Sequence, residues 1–258
     1  STYSLNNGYI TDVSILPYIR PQQVVVRAQG LLSTATLATY FDNTNINNYV
    51  RKANIIELTN VSGTFYENDT LGYVNASTFV PTARVLGVKS YPGTTNVRLY
   101  VASDQFTTQY SSGSTLVSAS FNTNGVYQST LASGTITSSS HFGGRIRTAN
   151  STTQLQLSAL ASSTPGYYNG NTIFITDGTG SGTYANITSY NGSTRVATTN
   201  VALSVANGSI YSIGTLSSDD VGSVYGVYCI PENTFHNGQR VLRLDNSTGG
   251  NPETATTY

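Results

Sequence analysis

The sequence predicts an all-β protein built from short, mostly antiparallel strands. No 3.6-residue apolar period is sustained over even three helical turns, which nearly excludes helices. Instead, runs of four to eight residues rich in Val, Ile, Thr and Tyr recur between clusters of Gly, Asn, Ser and Pro, a pattern typical of strands separated by turns. Pro-Gly and Asn-Gly pairs, which favour hairpin turns, lie between several of these runs.

The predicted strands follow one another along the chain. Examples are residues 23–28, 35–41, 83–88, 97–102, 115–121, 172–176, 184–190, 194–198, 223–230 and 239–244. Between 138 and 164 the chain is expected to form a polar bridge. Within 168–214, four short strands are expected to close a small core around Ile173, Ile175, Ile187, Val196, Ile210 and Ile213. A core of this size is marginal alone, so we expect it to pack against its neighbours.

Three turns have a specific chemistry. Pro92-Gly93 should join residues 84–88 and 97–101 as a hairpin, because Pro fixes φ and Gly leaves it free. Asn191-Gly192 is the strongest hairpin signal and predicts a positive φ at both residues. Asn237-Gly238 repeats that chemistry before Arg240.

The composition excludes several classes of partner. The 258 residues hold 12 Lys and Arg against 12 Asp and Glu, and charged residues make up 9%, where about 25% is usual. Such a chain has no electrostatic basis for binding nucleic acid or anionic lipid. No apolar run approaches a membrane span and no export signal is visible, so no membrane insertion is expected. Most polar residues are uncharged, with 38 Thr, 32 Ser and 24 Asn. The 19 Tyr and 8 Phe favour a chain that folds around a packed core.

Few residues are suited to acid–base, redox or metal chemistry. Cys229 is the single cysteine, so no internal disulfide can form, and no Cys and His spacing matches a zinc site. His141 and His236 are both predicted to be surface loop residues. A Ser-His-Asp triad is not excluded by residue order, but no Gly-x-Ser-x-Gly elbow precedes a helix.

The twelve carboxylates are scattered, and Asp219-Asp220 is the one adjacent pair. Neighbouring strand residues point to opposite faces, so this pair is not expected to converge on one bond, as a glycosidase would require. Asp219 could bind calcium with Asp69 or Asp177 only if their loops met. We therefore predict no catalytic residue, no metal site and no cofactor.

Glycines and tyrosines offer two further interpretations. Gly178, Gly180 and Gly182 alternate like a phosphate loop, but a strand follows them, which favours a tight hairpin end. Tyrosine rings can stack on sugars, and Tyr167 and Tyr168 are the candidate glycan contacts. Tyr225 and Tyr228 are a second candidate pair, although three positions of separation place them on opposite strand faces. Core packing is the favoured role for each of these tyrosines.

Three motifs resemble a short β module that recurs in fibre, baseplate and other virion proteins of tailed bacteriophages. They are Tyr-Asn-Gly at 168–170, Gly-Thr-Gly-Ser-Gly at 178–182 and Tyr-Asn-Gly-Ser-Thr at 190–194. The likeness rests on Gly178, Gly180, Gly182, Asn191 and Gly192.

A second resemblance is divided between two distant segments. Residues 24–31 and 40–43 resemble the first half of an Ig-like sandwich in structural proteins of cyanobacterial phages, and residues 217–231 and 235–244 resemble its second half. The signature residues are Phe41, Asp42, Gly226, Ile230, Pro231, Phe235 and Gly238. The halves are close together in the simple family pattern, so the material between them is interpreted as an insertion.

The resemblance implies a discontinuous Ig-like β-sandwich with two inserted small antiparallel β modules. The expected division is an N-terminal extension at 1–19, a split sandwich at 20–57 and 214–245, inserted modules at 58–140 and 141–213, and a C-terminal linker at 246–258. A sandwich tolerates such insertions at little loop-closure cost where its chain ends lie close together.

The function that the resemblance implies is a non-catalytic structural protein of a phage virion, in the tail, fibre, baseplate or neck. Its expected partners are copies of itself, as a homotrimer or a six-fold assembly, other virion proteins and, during host attachment, a host-surface glycan. Thin sheets gain burial against identical copies, which favours a symmetric homo-oligomer. A glycan- or receptor-binding fibre domain and a polysaccharide-cleaving tailspike stay open as alternatives, whereas a secreted adhesin is disfavoured by the missing export signal.

Overall fold

The computed structural model describes residues 20–103, 111–238, 240–246 and 252–253, and the prediction of an all-β protein is confirmed. In the described part, the only helical element is a single 3-10 turn at Asn47–Tyr49, and no helix could cross a membrane. The strands in chain order are β1 (Gln23–Ala28), β2 (Leu37–Phe41), β3 (Thr44–Asn45), β4 (Val50–Lys52), β5 (Asn54–Ser62), β6 (Thr70–Asn75), β7 (Thr78–Ser90), β8 (Val97–Ser103), β9 (Thr115–Phe121), β10 (Tyr127–Ser140), β11 (Gly143–Arg145), β12 (Thr148–Ala149), β13 (Gln154–Gln156), β14 (Thr172–Asp177), β15 (Tyr184–Asn191), β16 (Val196–Thr199), β17 (Ile210–Ile213), β18 (Val224–Cys229), β19 (Leu242–Asn246) and β20 (Pro252–Glu253).

Strands from the two ends of the chain form one sandwich. One sheet has the order β1-β18-β4 and the other β20-β19-β2-β3. Strand pairing in both sheets joins residues that are distant in sequence. Val26 lies opposite Gly226, and Phe41 lies opposite Leu242. The core between the sheets is mainly apolar and includes Val26, Leu37, Ile46, Val50, Leu216, Val224, Tyr228 and Leu244. We call this unit the sandwich.

The second unit is a closed six-stranded barrel with the order β10-β5-β8-β7-β6-β9. Its interior is filled by Ile56, Leu58, Leu71, Val85, Leu99, Val101, Leu116 and Ile136. The Pro92-Gly93 hairpin forms as predicted, with Val88 opposite Leu99. The border at 58 is displaced, because β5 begins at Asn54 and pairs with β8 and β10, so residues 54–57 lie in the barrel.

The third unit is a seven-stranded sheet folded over its own core, in the order β11-β17-β14-β15-β16-β13-β12. Residues 184–186 of strand β15 pair with β14, and from Ile187 onward the strand pairs with β16, with a register shift between Ile187 and Ser189. The core combines residues from the predicted module with residues upstream of it, among them Ile146, Leu155, Leu157, Ile173, Ile175, Ile187, Tyr211 and Ile213. The prediction of a polar bridge at 138–164 is therefore wrong, because β11, β12 and β13 lie there and supply buried apolar side chains.

Strand β18 is buried on both faces and joins the sandwich to the barrel. Val224 and Tyr228 point into the sandwich core, whereas Tyr225, Val227 and Cys229 pack against the barrel. The rings of Tyr225 and Tyr100 stack with centroids 4.3 Å apart. The prediction that Tyr225 and Tyr228 lie on opposite faces is confirmed, and both rings are buried.

Asn54 connects the barrel to the third unit through a fully satisfied amide. Its Nδ2 donates to Ser103 Oγ at 3.1 Å and to the carbonyl oxygen of Gly143 at 2.9 Å. Its Oδ1 accepts from the backbone N–H groups of Phe142, at 2.8 Å, and Gly143, at 3.1 Å. Because Asn54 is buried, these four bonds fix where the chain enters the third unit.

Two predicted segments lie partly or wholly outside the described residues. The N-terminal extension at 1–19 lies outside them. In the segment predicted as a C-terminal linker, Asn246 ends β19, and Pro252–Glu253 forms β20, which pairs with β19 at Leu244 and Asp245. That segment thus contributes an edge strand to the sandwich.

Candidate functional site

Phe41 and Asp42 form a turn that closes one edge of the sandwich. The Phe41 ring packs against Tyr228 at 5.4 Å and edge-on against Phe235 at 4.8 Å. Asp42 and Asn43 follow with φ values of 48° and 65°, the backbone that a two-residue turn between paired strands requires. Here the signature residue Phe41 packs against the sandwich core, and the signature residue Asp42 forms the turn.

The Asp42 carboxylate also holds the segment that leads into β19. It accepts from the backbone N–H of Val241 at 2.9 Å and from Arg240 Nη1 at 2.5 Å. These two hydrogen bonds, in that order, lower the pKa of Asp42. Gly238 precedes this contact with φ of 135°, and Gln239 lies outside the described residues. Asn237-Gly238 does not join a hairpin, because the strands on either side, β18 and β19, belong to different sheets.

The signature residues on and after β18 are placed by close packing. A Cβ on Gly226 would lie 2.6 Å from a Leu216 methyl carbon and 2.8 Å from the carbonyl oxygen of Arg51. Ile230 is buried in the sandwich core, and its N–H donates to the carbonyl oxygen of Gln22 at 2.9 Å. Pro231 follows directly beyond the strand.

The glycine-rich loop closes the hairpin between β14 and β15 and has no helix after it. Gly178, Gly180 and Gly182 have φ values of 81°, 86° and 86°. The loop also touches the sandwich, since Asn48 Nδ2 donates to the carbonyl oxygen of Gly182 at 3.0 Å. A side chain on Gly182 would overlap the Tyr49 ring. The loop therefore works as a docking contact between units.

The Asn191-Gly192 hairpin is confirmed, but its predicted backbone is wrong. Asn191 lies opposite Val196, so four residues form the turn, and the positive φ falls on Arg195 at 60° rather than on Asn191 and Gly192. Gly192 is required for a different reason. A Cβ there would overlap the carbonyl oxygen of Ser163 and lie 2.5 Å from its carbonyl carbon.

Replacing Gly192 by alanine should destabilise the third unit by about 1–3 kcal/mol, because the added methyl must displace backbone at 163–164. Thermal unfolding followed by circular dichroism measures the loss. Ser193→Ala, at the exposed neighbouring position, is the control and should unfold as the wild type does. Equal unfolding temperatures for the two variants would contradict the close-packing explanation.

Of the two predicted glycan contacts, only Tyr167 faces solvent. Its side chain is 47% exposed, whereas Tyr168 is completely buried. The Tyr168 hydroxyl donates to the carbonyl oxygen of His141 at 2.5 Å and accepts from the N–H of Ser162 at 3.0 Å. Burial, the largest effect, raises the pKa of Tyr168 above its usual value. Tyr168 is therefore a core residue and cannot contact a ligand directly.

Tyr167 lines a cleft of about 890 Å³ between the end of β10 and the third unit. Hydroxyl groups form much of its wall, from Ser139, Ser140, Ser162, Ser163, Ser193 and Thr194. Arg147, Gln156 and Arg195 supply the larger polar side chains. The described residues that line the cleft include no carboxylate, so the described part of this wall is cationic in a protein whose charges are few and balanced.

His141 also lines this cleft, which corrects the prediction of a surface loop residue. It is half-buried, and its Nε2 lies 3.0 Å from Ser139 Oγ. Burial lowers its pKa to about 4, so the ring is neutral at pH 7 and adds no charge to the cleft. His236 is exposed, as predicted, and its carbonyl oxygen accepts from Arg240 Nε at 2.8 Å.

Asp219 and Asp220 converge, contrary to the prediction, and they do so on Arg98 of the barrel. Arg98 Nη1 lies 2.9 Å from Asp219 Oδ2 and also pairs with Asp220, while its Nε lies 2.5 Å from Glu57 Oε1. The two aspartates sit in a turn before β18, where the alternation of strand faces does not apply. Arg98, Glu57, Asp219 and Asp220 together form an ion-pair cluster, which we call the Arg98 cluster.

Hydrogen bonding keeps the Asp219 carboxylate charged in this partly buried place. Burial alone would raise its pKa, but hydrogen bonds from the Tyr100 hydroxyl, the Ser223 N–H and Arg98 together lower it. Asp69 and Asp177, its suggested calcium partners, instead accept from the N–H groups of Tyr66 and Gly178 in other loops. Among the described residues, no three His, Cys, Asp or Glu side chains are arranged to hold a metal ion.

Fold and site together define an all-β protein of three tightly connected units whose signature residues serve turns and packing. Comparison with protein-family models, with curated proteins and with solved structures finds no match in any of the three.

Proposed function

We propose that this chain is a non-catalytic structural protein of a tailed-phage virion, in the tail, fibre, baseplate or neck, and that it assembles as a symmetric homo-oligomer. The observation that carries the proposal is the role of the residues that resemble phage modules. In both the sandwich and the third unit they form turns and close contacts, and they do not converge on a reactive centre. Residues that serve turns and packing are what a structural protein needs.

The connections between the units support the same role. The sandwich and barrel share burial of β18, the Arg98 cluster ties them again, and Asn54 fixes the barrel to the third unit. Three small cores are thereby joined by buried contacts instead of flexible linkers. A subunit that bears mechanical load in an assembly needs buried contacts of this kind between its units.

An apolar patch at one end of the barrel provides a surface for self-association. Val74, Phe121 and Val126 are exposed there, and the Phe79 ring, itself buried, contacts the rings of Phe121 and Tyr127. We call these five residues the barrel-end patch. Exposed apolar side chains at one end of a unit favour association, and identical copies offer a self-complementary partner.

Native mass spectrometry of the full chain should show a trimer or a hexamer. Val126→Asp should shift the population toward the monomer, because a carboxylate in the barrel-end patch would be buried without a partner. Val201→Asp is the matched control, since Val201 is similarly exposed but lies in the third unit. A monomer at every concentration tested would contradict the assembly proposal.

A second candidate function is host-glycan or receptor binding, and one observation favours it. The cleft beside Tyr167 presents an exposed aromatic ring among hydroxyl and guanidinium groups, which is the chemistry of saccharide recognition. Polysaccharide cleavage is not favoured, because it needs two carboxyl groups across the bond and none of the described residues that line this cleft carries one.

A further inference from the structure

The cleft beside Tyr167 contains an imbalance of charge that the fold does not explain. Arg147 and Arg195 line it, none of the described Asp or Glu residues does, and His141 is neutral. The whole chain holds only 12 basic residues against 12 acidic ones, so two guanidinium groups that face no carboxylate among the described residues are a marked local excess. An anionic ligand would balance them.

The two arginines differ in how much of each guanidinium is already used. Arg195 is held by the protein, since its Nε donates to the carbonyl oxygen of Ala161 at 2.9 Å and its Nη1 donates to that of Gly192. By contrast, no described residue accepts a hydrogen bond from the Arg147 side chain or forms an ion pair with it, although its backbone N–H donates to Gln156 at 2.8 Å. Arg195 thus contributes a fixed charge, and the donor fork of Arg147 is not used by any described residue.

Tyr167 supplies a rigid platform in the same cleft. Its ring stands edge-on against Tyr168, with centroids 4.9 Å apart and an interplanar angle of 88°. Because Tyr168 is itself held by hydrogen bonds to His141 and Ser162, the Tyr167 ring rests on a fixed support. A volume of about 890 Å³ is large enough for a short oligosaccharide.

We propose that this cleft binds a carboxylate-bearing saccharide of the uronic-acid kind, with Arg147 pairing to the carboxylate and Tyr167 stacking on a sugar ring. A guanidinium fork matches the geometry of a carboxylate with two parallel hydrogen bonds. The serine and threonine hydroxyls of the wall are suited to the sugar hydroxyls. This inference deepens the second candidate function and rests on it.

Calorimetric titration of the full chain with trigalacturonic acid, and with its fully methyl-esterified form as the uncharged match, tests the proposal. The wild type should bind the acid at least tenfold more tightly than the ester. Arg147→Gln should remove most of that preference, leaving the weaker attraction of the fixed Arg195 charge, and should leave binding of the ester unchanged, whereas Tyr167→Ala should weaken both ligands at least fivefold. Arg27→Gln, which removes an equal charge outside this cleft, is the matched control and should bind as the wild type does.

The possible failures are distinguishable. Equal affinity for acid and ester would overturn the carboxylate assignment while leaving glycan binding intact. Binding of neither ligand would overturn this proposal and remove the support for the second candidate function. An unchanged preference in Arg147→Gln, with that variant folded by circular dichroism, would show that Arg147 is not the anchor.

Discussion

Replacing Arg98 by methionine should lower the free energy of unfolding by about 3–5 kcal/mol at pH 7, because it leaves the buried Asp219 carboxylate without its cationic partner. The side chains of Arg98 and Asp219 are only 11% and 4% exposed, so water cannot replace the lost contact. Glu57 and Asp220 would then repel Asp219 at close range. Denaturation in urea at pH 7 measures this loss.

The same variant has a defined pH dependence. The folded-state pKa of Asp219 and Asp220 is lowered, so their contribution is fully present above the unfolded pKa of about 4 and is lost as pH falls through the folded values. The difference between wild type and Arg98→Met should therefore be largest above pH 5 and shrink below pH 4. Arg27→Met, which removes an exposed ion pair with Glu67, is the control and should cost under about 1 kcal/mol. A pH-independent difference would contradict the electrostatic explanation.

Replacing Asn54 by alanine should cost about 3 kcal/mol, since it leaves the backbone N–H groups of Phe142 and Gly143 without an acceptor inside the protein. In a protein of this size, that loss corresponds to a fall of roughly 6–12 °C in the unfolding temperature. Differential scanning calorimetry measures the fall directly.

Asn150→Ala is the matched control for this substitution, because Asn150 is exposed and makes no hydrogen bond with a described residue. It should unfold within a degree or two of the wild type. If Asn54→Ala unfolded at the same temperature as Asn150→Ala, the junction between barrel and third unit would not depend on this amide.

The strands that the sequence predicts best are those rich in β-branched and aromatic residues. Strand β18 and the β7–β8 hairpin are of this kind. Strand β10 has little of this signal, because its 14 residues are mostly Ser, Thr, Gly and Ala, and only Ala132, Gly134 and Ile136 are buried. Closure of the barrel pairs this strand on both edges, and that long-range pairing leaves no local signal in the sequence.

The candidate site was predictable only in part. A Tyr-Tyr pair marks 167–168, but the sequence does not show that Tyr168 turns inward onto His141. Arg147 and Arg195 were missed because they lie 48 positions apart and meet at one cleft only through the folding of the third unit. The available signal was the scarcity of charged residues, because in a chain with so few of them each arginine is a candidate for a specific role. The sequence likewise does not show that Asp219 meets Arg98, because one lies in a turn of the sandwich and the other on a strand of the barrel.

Site-specific labelling tests the central claim most directly. Cys229 is buried, so Thr95→Cys, in the exposed turn between β7 and β8, would give a single accessible thiol for a maleimide-gold label, with the unmodified chain as control. Electron micrographs of phage particles produced with this variant should show gold at one fixed level of the tail or neck, in multiples of three or six. Gold on the free protein, but never on particles, would contradict the assignment as a virion component.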